Sequence, residues 1–166
     1  SFGDLMRNIG VCYASLGRTV EAAHVYVQAK DVYEAIGKTF TSEYAGVLQE
    51  MGELYSSQGL HFEATSLYDI AKATYEGLGA CRTSRYAGLL QNMGVSLTHQ
   101  GRHAEAALAY AEAKGIYEES GLEGTPAYAG LLRNLGGCFN NQGRQYEATQ
   151  FYSQAKIAYE VAGVTA

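Results

Sequence analysis

Apolar positions along the chain recur at three- and four-residue steps, the spacing of helices that bury one face. In the stretch from 86 to 117 they run Tyr86, Leu89, Leu90, Met93 and Leu97, then Ala106, Tyr110, Ala113 and Tyr117. This predicts one helix from about Tyr86 to His99 and a second from about Arg102 to Glu119. Gly101 stands between them, and glycine is the residue that turns left-handed at little cost, so the two helices form a hairpin.

The pattern returns every 42 residues. Gly10, Gly52, Gly94 and Gly136 fall in register, and Gly17, Gly59, Gly101 and Gly143 follow each by seven. The same frame aligns Glu21, Glu63, Glu105 and Glu147, then Ala22, Ala64, Ala106 and Ala148, then Tyr26, Tyr68, Tyr110 and Tyr152. Ala-Lys pairs beginning at Ala29, Ala71, Ala113 and Ala155 come next, with Tyr33, Tyr75, Tyr117 and Tyr159 behind them and Gly37, Gly79, Gly121 and Gly163 last. Four copies fill the chain, at about 2–43, 44–85, 86–127 and 128–166, and predict one all-α repeat array over residues 1–166.

Local chemistry agrees with these limits. Thr41, Thr83 and Thr125 precede the first helices of copies two to four, where a hydroxyl can cap a backbone N–H, and Pro126 takes the first helical position of the fourth. The Gly37 column reads as a stop at the end of each second helix. The Gly10 column lies inside a helix, where glycine costs about 1 kcal/mol against alanine, so a packing reason is expected. The second helix approaches closely there, and the Ala22 column is the small partner that the sequence suggests.

Composition narrows the function. Of 166 residues, 47% are hydrophobic and 17% charged, enough apolar matter for a core and too much for disorder. No apolar run reaches the ~18 residues of a membrane span, and no signal peptide opens the chain, so a cytoplasmic protein without membrane association is expected. A net charge of −5 with no basic cluster argues against nucleic acid. Twenty glycines against one proline follow from one hairpin repeated four times, not from loops.

The run Leu132-x-x-Leu135-Gly136-x-x-Phe139, with Ala148-x-x-x-Tyr152 and Ala155, resembles the tetratricopeptide (TPR) pattern of two antiparallel helices, and the other copies match nearly as well. The usual unit has 34 residues; a 42-residue unit resembles the kinesin-light-chain-like branch, as does Thr125-Pro126-x-x-Ala129-x-x-Leu132-x-Asn134-Leu135. Only the fourth copy has the proline, and Met6, Leu48, Leu90 and Leu132 stand where the usual motif opens on an aromatic. The resemblance implies a right-handed α-solenoid of four helix-turn-helix repeats. First helices would line a concave groove that binds a protein or peptide partner. It implies an adaptor or scaffold and no enzyme.

Ligand contacts are sought where first-helix positions stay polar or vary. One column is Arg7, Gln49, Gln91 and Arg133; the next is Asn8, Glu50, Asn92 and Asn134; a turn further come Val11, Glu53, Val95 and Gly137. The resemblance implies that the first two columns face the groove and that the asparagines hydrogen-bond a peptide backbone, an amide being donor and acceptor at once. Bridging between adjacent first helices is the alternative for these asparagines. Arg7 and Arg133 are placed to receive a carboxylate, and Glu50 with Glu53 would form an acidic spot. The Gly46, Gly88 and Gly130 column leaves the groove floor open for bulky ligand side chains or, as the favoured reading, gives room for close helix packing.

Other chemistry is set aside. His99 and His103 have a metal-ligand spacing, but Gly101 breaks the helix between them, and no metal or cofactor is expected. Cys12 and Cys138 share a repeat position and read as small core residues, too far apart for a disulfide; Cys81 lies between copies. Glu118 and Glu119 read as a solvent-facing pair, and no nucleophile, base and orienting group converge. Thirteen of fourteen tyrosines occupy repeated positions, which makes them packing residues; Tyr146 is the exception. The chain begins almost inside a helix and ends at Thr165-Ala166 without a polar cap, leaving Ile157 and Val161 uncovered. A fragment of a longer array is expected from this, or end-to-end self-association.

Overall fold

The computed structural model describes residues 1–164; Thr165 and Ala166, the last residues of the fourth copy, lie outside them. Eight α-helices are formed among the described residues: α1 (Phe2–Ser15), α2 (Thr19–Ala35), α3 (Ser42–Ser57), α4 (His61–Gly77), α5 (Ser84–His99), α6 (His103–Glu119), α7 (Pro126–Asn141) and α8 (Gln145–Val161). They pair as four hairpins, α1 with α2 through α7 with α8. Two compact units result, one over Ser1–Ala80 with hairpins 1 and 2, the other from Cys81 onward with hairpins 3 and 4. In the first unit α2 and α1 both pack on α3; in the second α6 and α5 both pack on α7.

The helix ends are set locally. The Thr41, Thr83 and Thr125 hydroxyls accept from the N–H groups of Tyr44, Tyr86 and Tyr128 at 3.2, 3.2 and 3.3 Å, and Pro126 sits in the first turn of α7. Gly17, Gly59, Gly101 and Gly143 adopt φ of 71° to 80°, and the residue after each glycine donates its N–H to the carbonyl five positions back at 2.9 Å, as in Arg102 to Leu97. That bond closes the helix by consuming an otherwise unpaired carbonyl. The stop glycines at 37, 79, 121 and 163 use the same device at φ of 65° to 70°. Second helices lack a side-chain cap. Instead Arg18, Arg102 and Arg144 pair with the repeated glutamates Glu21, Glu105 and Glu147 at 2.6–2.8 Å, and Arg18 and Arg144 also stack on Tyr13 and Phe139.

The helical glycines do have a packing reason, but the partner is not the alanine column. A Cβ on Gly94 would stand 2.6 Å from Cε1 of the Tyr110 ring, and Gly10, Gly52 and Gly136 meet Tyr26, Tyr68 and Tyr152 in the same way. The absent side chain admits a whole aromatic ring, which buries far more area than a close alanine contact. Gly130 is in ordinary contact with the Tyr159 hydroxyl.

Columns of tyrosine run through the core of both units beside the repeated leucines and alanines. Tyr26, Tyr68 and Tyr110 are buried whereas Tyr152 is 42% exposed; Tyr33, Tyr75 and Tyr117 are buried whereas Tyr159 is half-buried. Cys12 corrects the core assignment made from its repeat position. Cys138 is buried against Thr98 of α5, while Cys12 is exposed because no helix precedes α1 among the described residues. All three cysteines are free. Ile157 and Val161 are not the stacking surface. Their counterparts Asp31 and Ala35 stay exposed although α3 follows them.

Candidate functional site

The first-helix columns meet differently in the two units. In the first, Arg7 of α1 forms an ion pair with Glu50 of α3, and the two side chains are only 19% and 18% exposed. Burial pulls the Arg7 guanidinium down in pKa, but the Glu50 carboxylate outweighs it and the net shift is upward. Gln49 donates to Glu53 at 3.1 Å. The polar groups of this unit therefore bond mainly to one another. Arg7 already holds a carboxylate, and the acidic spot expected from Glu50 and Glu53 is neutralised on one side by Arg7 and bonded on the other by Gln49. Arg7 Nε, Glu50 Oε2 and Gln49 Oε1 are buried with no hydrogen-bond partner, the cost of placing an ion pair between packed helices. Asn8 lies exposed beside them.

In the second unit the counterpart of the Arg7–Glu50 pair is Gln91 with Asn134, two neutral amides. Gln91 receives a long hydrogen bond of 3.4 Å from the Tyr117 hydroxyl. Asn134 is half-buried and, with Thr98, stands near enough to the Tyr110 hydroxyl of hairpin 3 to offset part of the effect of burial on it. Burial still dominates Tyr110 and pushes its pKa well up. Asn92 is half-buried on α5. Arg133 is exposed and forms no ion pair among the described residues.

A cavity of about 230 Å³ opens here between α5 and α7. Arg133, Asn134 and Asn141 stand along it from α7, Val95 and His99 from α5, with the Tyr110 and Tyr152 rings at its side. Gly137 accounts for the opening. Where hairpin 2 carries Glu53 this position has no side chain, and a Cβ there would come 3.8 Å from the Tyr152 hydroxyl. The lining offers one cation, two amides, an imidazole and aromatic faces, which suits a carboxylate or peptide amide beside an apolar group. Of the nine residues singled out from sequence, Arg133 and Asn134 line this cavity, Arg7 and Glu50 pair with each other, Gln49 and Glu53 bond to each other, and Asn8, Gln91 and Asn92 lie outside the cavity lining. Tyr152, His99 and Asn141 also line the cavity, although the sequence marks Tyr152 only as a packing residue, His99 only by its spacing from His103, and Asn141 not at all. Nothing in their columns sets them apart until the missing side chain at Gly137 exposes them.

His99 ends α5 and His103 begins α6, with Gly101 between them, and no cluster of three or more potential metal ligands occurs among the described residues. None of the described helices is long and apolar enough to cross a membrane. Glu118 is not simply solvent-facing: it bonds Lys114 at 2.5 Å and accepts from the Tyr128 hydroxyl, while Glu119 pairs with Arg82 at 3.1 Å.

By sequence, no family model and no curated protein matches the chain. By structure, it is similar to BtubC (BKLC) from P. vanneervenii, with TM-score 0.86 and 17% identity over 99% of this chain. The chain spans 65% of the length of that protein. It is also similar to a Podosopora anserina kinesin light chain of nearly identical TPR-like repeats, with TM-score 0.82 and 14% identity over 95% of this chain and 74% of the other. MamA gives TM-score 0.74 and 16% identity over 98% of this chain and 81% of its own. The fold is thus an all-α helical repeat solenoid of the TPR type.

Proposed function

We propose that the chain is a non-enzymatic interaction module, an adaptor or scaffold, that binds a peptide segment of a partner protein on the face built by its first helices. The cavity between α5 and α7 carries this reading, because it joins the unpaired Arg133 to Asn134 and to the exposed Tyr152 ring. Recognition is concentrated in hairpins 3 and 4. Hairpins 1 and 2 present the Arg7–Glu50 pair, which would have to be broken before either charge met a ligand. The ligand chemistry that fits is an extended segment with an acidic group for Arg133 and backbone amides for Asn134. A peptide array screened against the chain tests this. Acidic peptides should bind, Arg133→Ala should weaken them without lowering thermal stability, and Asn134→Ala should weaken them further; binding indifferent to both substitutions would reject the site.

A second reading has its own support. The part-exposed Tyr152 and Tyr159, with Ala155, border a shallow apolar surface on α8, and their counterparts in hairpins 1 and 3, each followed by a hairpin of its own unit, are buried. A further hairpin, or the α1 end of a second copy, would cover it, giving a structural or regulatory spacer that self-associates or controls an adjoining domain. Sedimentation separates the two: mass rising with concentration favours end-to-end assembly.

A further inference from the structure

The segment leading into each first helix lies against the end of the second helix of the same hairpin, and three hairpins make this contact with three chemistries. In hairpin 2 the loop residue Phe40 lies on Gly77: a Cβ there would stand 2.5 Å from the ring Cζ and 2.8 Å from Cε2. In hairpin 3 the same two positions hold Arg82 and Glu119, an ion pair. In hairpin 4 they hold Gly124 and Val161, and the Cβ that Gly124 lacks would be 3.6 Å from Val161 Cγ1. The glycine has moved from the helix to the loop, so the ring that fills this place in hairpin 2 is absent in hairpin 4.

A hollow of about 270 Å³ remains there. Its lining is mostly apolar, from Gly124, Leu132, Ile157, Ala158 and Val161 with the Tyr128 ring, and Glu123 and Gln154 are its polar members. Ile157 and Val161 are 60% and 69% exposed, large apolar side chains facing water beside an open space. A following hairpin in the same register does not cover this surface. Asp31 and Ala35, which correspond to Ile157 and Val161, remain exposed beneath α3, and Glu119 remains exposed beneath α7. The hollow also shares no residue with the Arg133 and Asn134 cavity.

We infer that this hollow is a docking pocket for an aromatic side chain on an extended segment of a partner protein, the ring taking the place that Phe40 takes on Gly77. The molecule supplies the precedent for the occupant, since its own loop lays a phenylalanine in the equivalent place. An apolar lining with the small Ala158 accommodates a flat ring, and removal of that ring and of Ile157 and Val161 from water drives the contact. Glu123 favours a basic residue near the aromatic, as Lys38 stands near Phe40 in the chain's own loop. Phe40 of a second copy is the poorer occupant because it already lies on its own Gly77.

The test uses a blocked hexapeptide with the sequence of residues 37–42, Gly-Lys-Thr-Phe-Thr-Ser, added to the isotopically labelled full chain and followed by NMR. Saturable shifts should centre on Gly124, Leu132, Ile157 and Val161, and a peptide with alanine for phenylalanine should bind at least ~tenfold more weakly, the scale of one lost ring burial. Gly124→Phe should fill the pocket and weaken binding equally. Should that loop substitution disturb folding, Val161→Glu decides, because Val161 is exposed and its charge leaves the fold intact. Arg133→Ala should leave this peptide unaffected, which separates the pocket from the first-helix site. Shifts centred elsewhere, undiminished binding to a folded Gly124→Phe or Val161→Glu chain, or peptide-independent dimers occupying the hollow would overturn the assignment.

Discussion

The Tyr128 hydroxyl, at the start of hairpin 4, donates to the Glu118 carboxylate at the end of hairpin 3 at 2.8 Å. Lys114 holds the same carboxylate, and the Tyr128 ring meets Tyr117 edge-on with centroids 6.2 Å apart. Hairpins 1 and 2 repeat the arrangement with Tyr44, Glu34, Lys30 and Tyr33, down to the 2.8 Å hydrogen bond and the 6.2 Å centroid distance. A lysine, a glutamate and two tyrosines thus form the seam by which, within each unit, one hairpin fixes the next.

Removing the seam hydroxyl measures its strength. Tyr128→Phe should lower stability by about 1 kcal/mol, the ordinary worth of such a bond. Glu118→Gln should cost a comparable amount, and the double variant less than the sum because both remove one interaction. Urea denaturation of the four proteins reads the coupling.

Acid should weaken the seam first. The Glu34 and Glu118 carboxyls are held below their usual range, chiefly by Lys30 and Lys114 and then by the tyrosine hydroxyls. A carboxyl whose folded pKa is depressed adds stability above its unfolded value, and that stability is lost as pH falls through the folded one. The advantage of the wild-type chain over a Glu34→Gln, Glu118→Gln variant should therefore be present at neutral pH and be lost as pH falls below the ordinary glutamate range. At the alkaline end Tyr44, pushed up to about 12 by burial and then by Glu34, should stay protonated in the fold while an unfolded tyrosine ionises, so stability declines as pH rises from about 10 towards 12.

Two helical glycines should respond in opposite senses to alanine. At Gly94 the new methyl meets the Tyr110 ring, and overpacking of about 1–3 kcal/mol should exceed the gain of about 1 kcal/mol in helix propensity. On a Tyr110→Leu background the clash should be relieved. At Gly115 of α6 nothing lies within 4 Å, so alanine should raise stability by up to about 1 kcal/mol. Thermal melts of the three variants check the sign in each case.

The Arg7–Glu50 pair should behave as structure and not as a ligand contact. Arg7→Ala or Glu50→Ala alone strands a charge that is about four-fifths buried and should cost about 2 kcal/mol, while the double substitution should cost less than the two together. Affinity for any peptide bound through Arg133 should be unchanged, as titration calorimetry would show.

Much of the fold was legible because its signals are local. Thr83 caps the helix that starts at the next residue, and Gly101 turns the chain where it stands; neither needs a distant partner. The site was legible only as a set of columns. Arg7 and Arg133 occupy the same column and look alike in sequence, yet Arg7 is bound by Glu50 of the following hairpin while Arg133 forms no ion pair among the described residues. Cys12 and Cys138 diverge in the same way, and so do Tyr110 and Tyr152.

The sequence by itself determined the hairpin, its period and its helix limits, since backbone capping, glycine conformation and helical spacing act over a few residues. Tertiary structure decided which polar groups cancel and where space remains. An ion pair closes the first unit, while Gly137 and Gly124 open two cavities in the second, one glycine lacking a carboxylate's bulk and the other a phenyl ring's. Those results rest on side chains meeting across hairpins, and no single repeat contains both partners of such a contact.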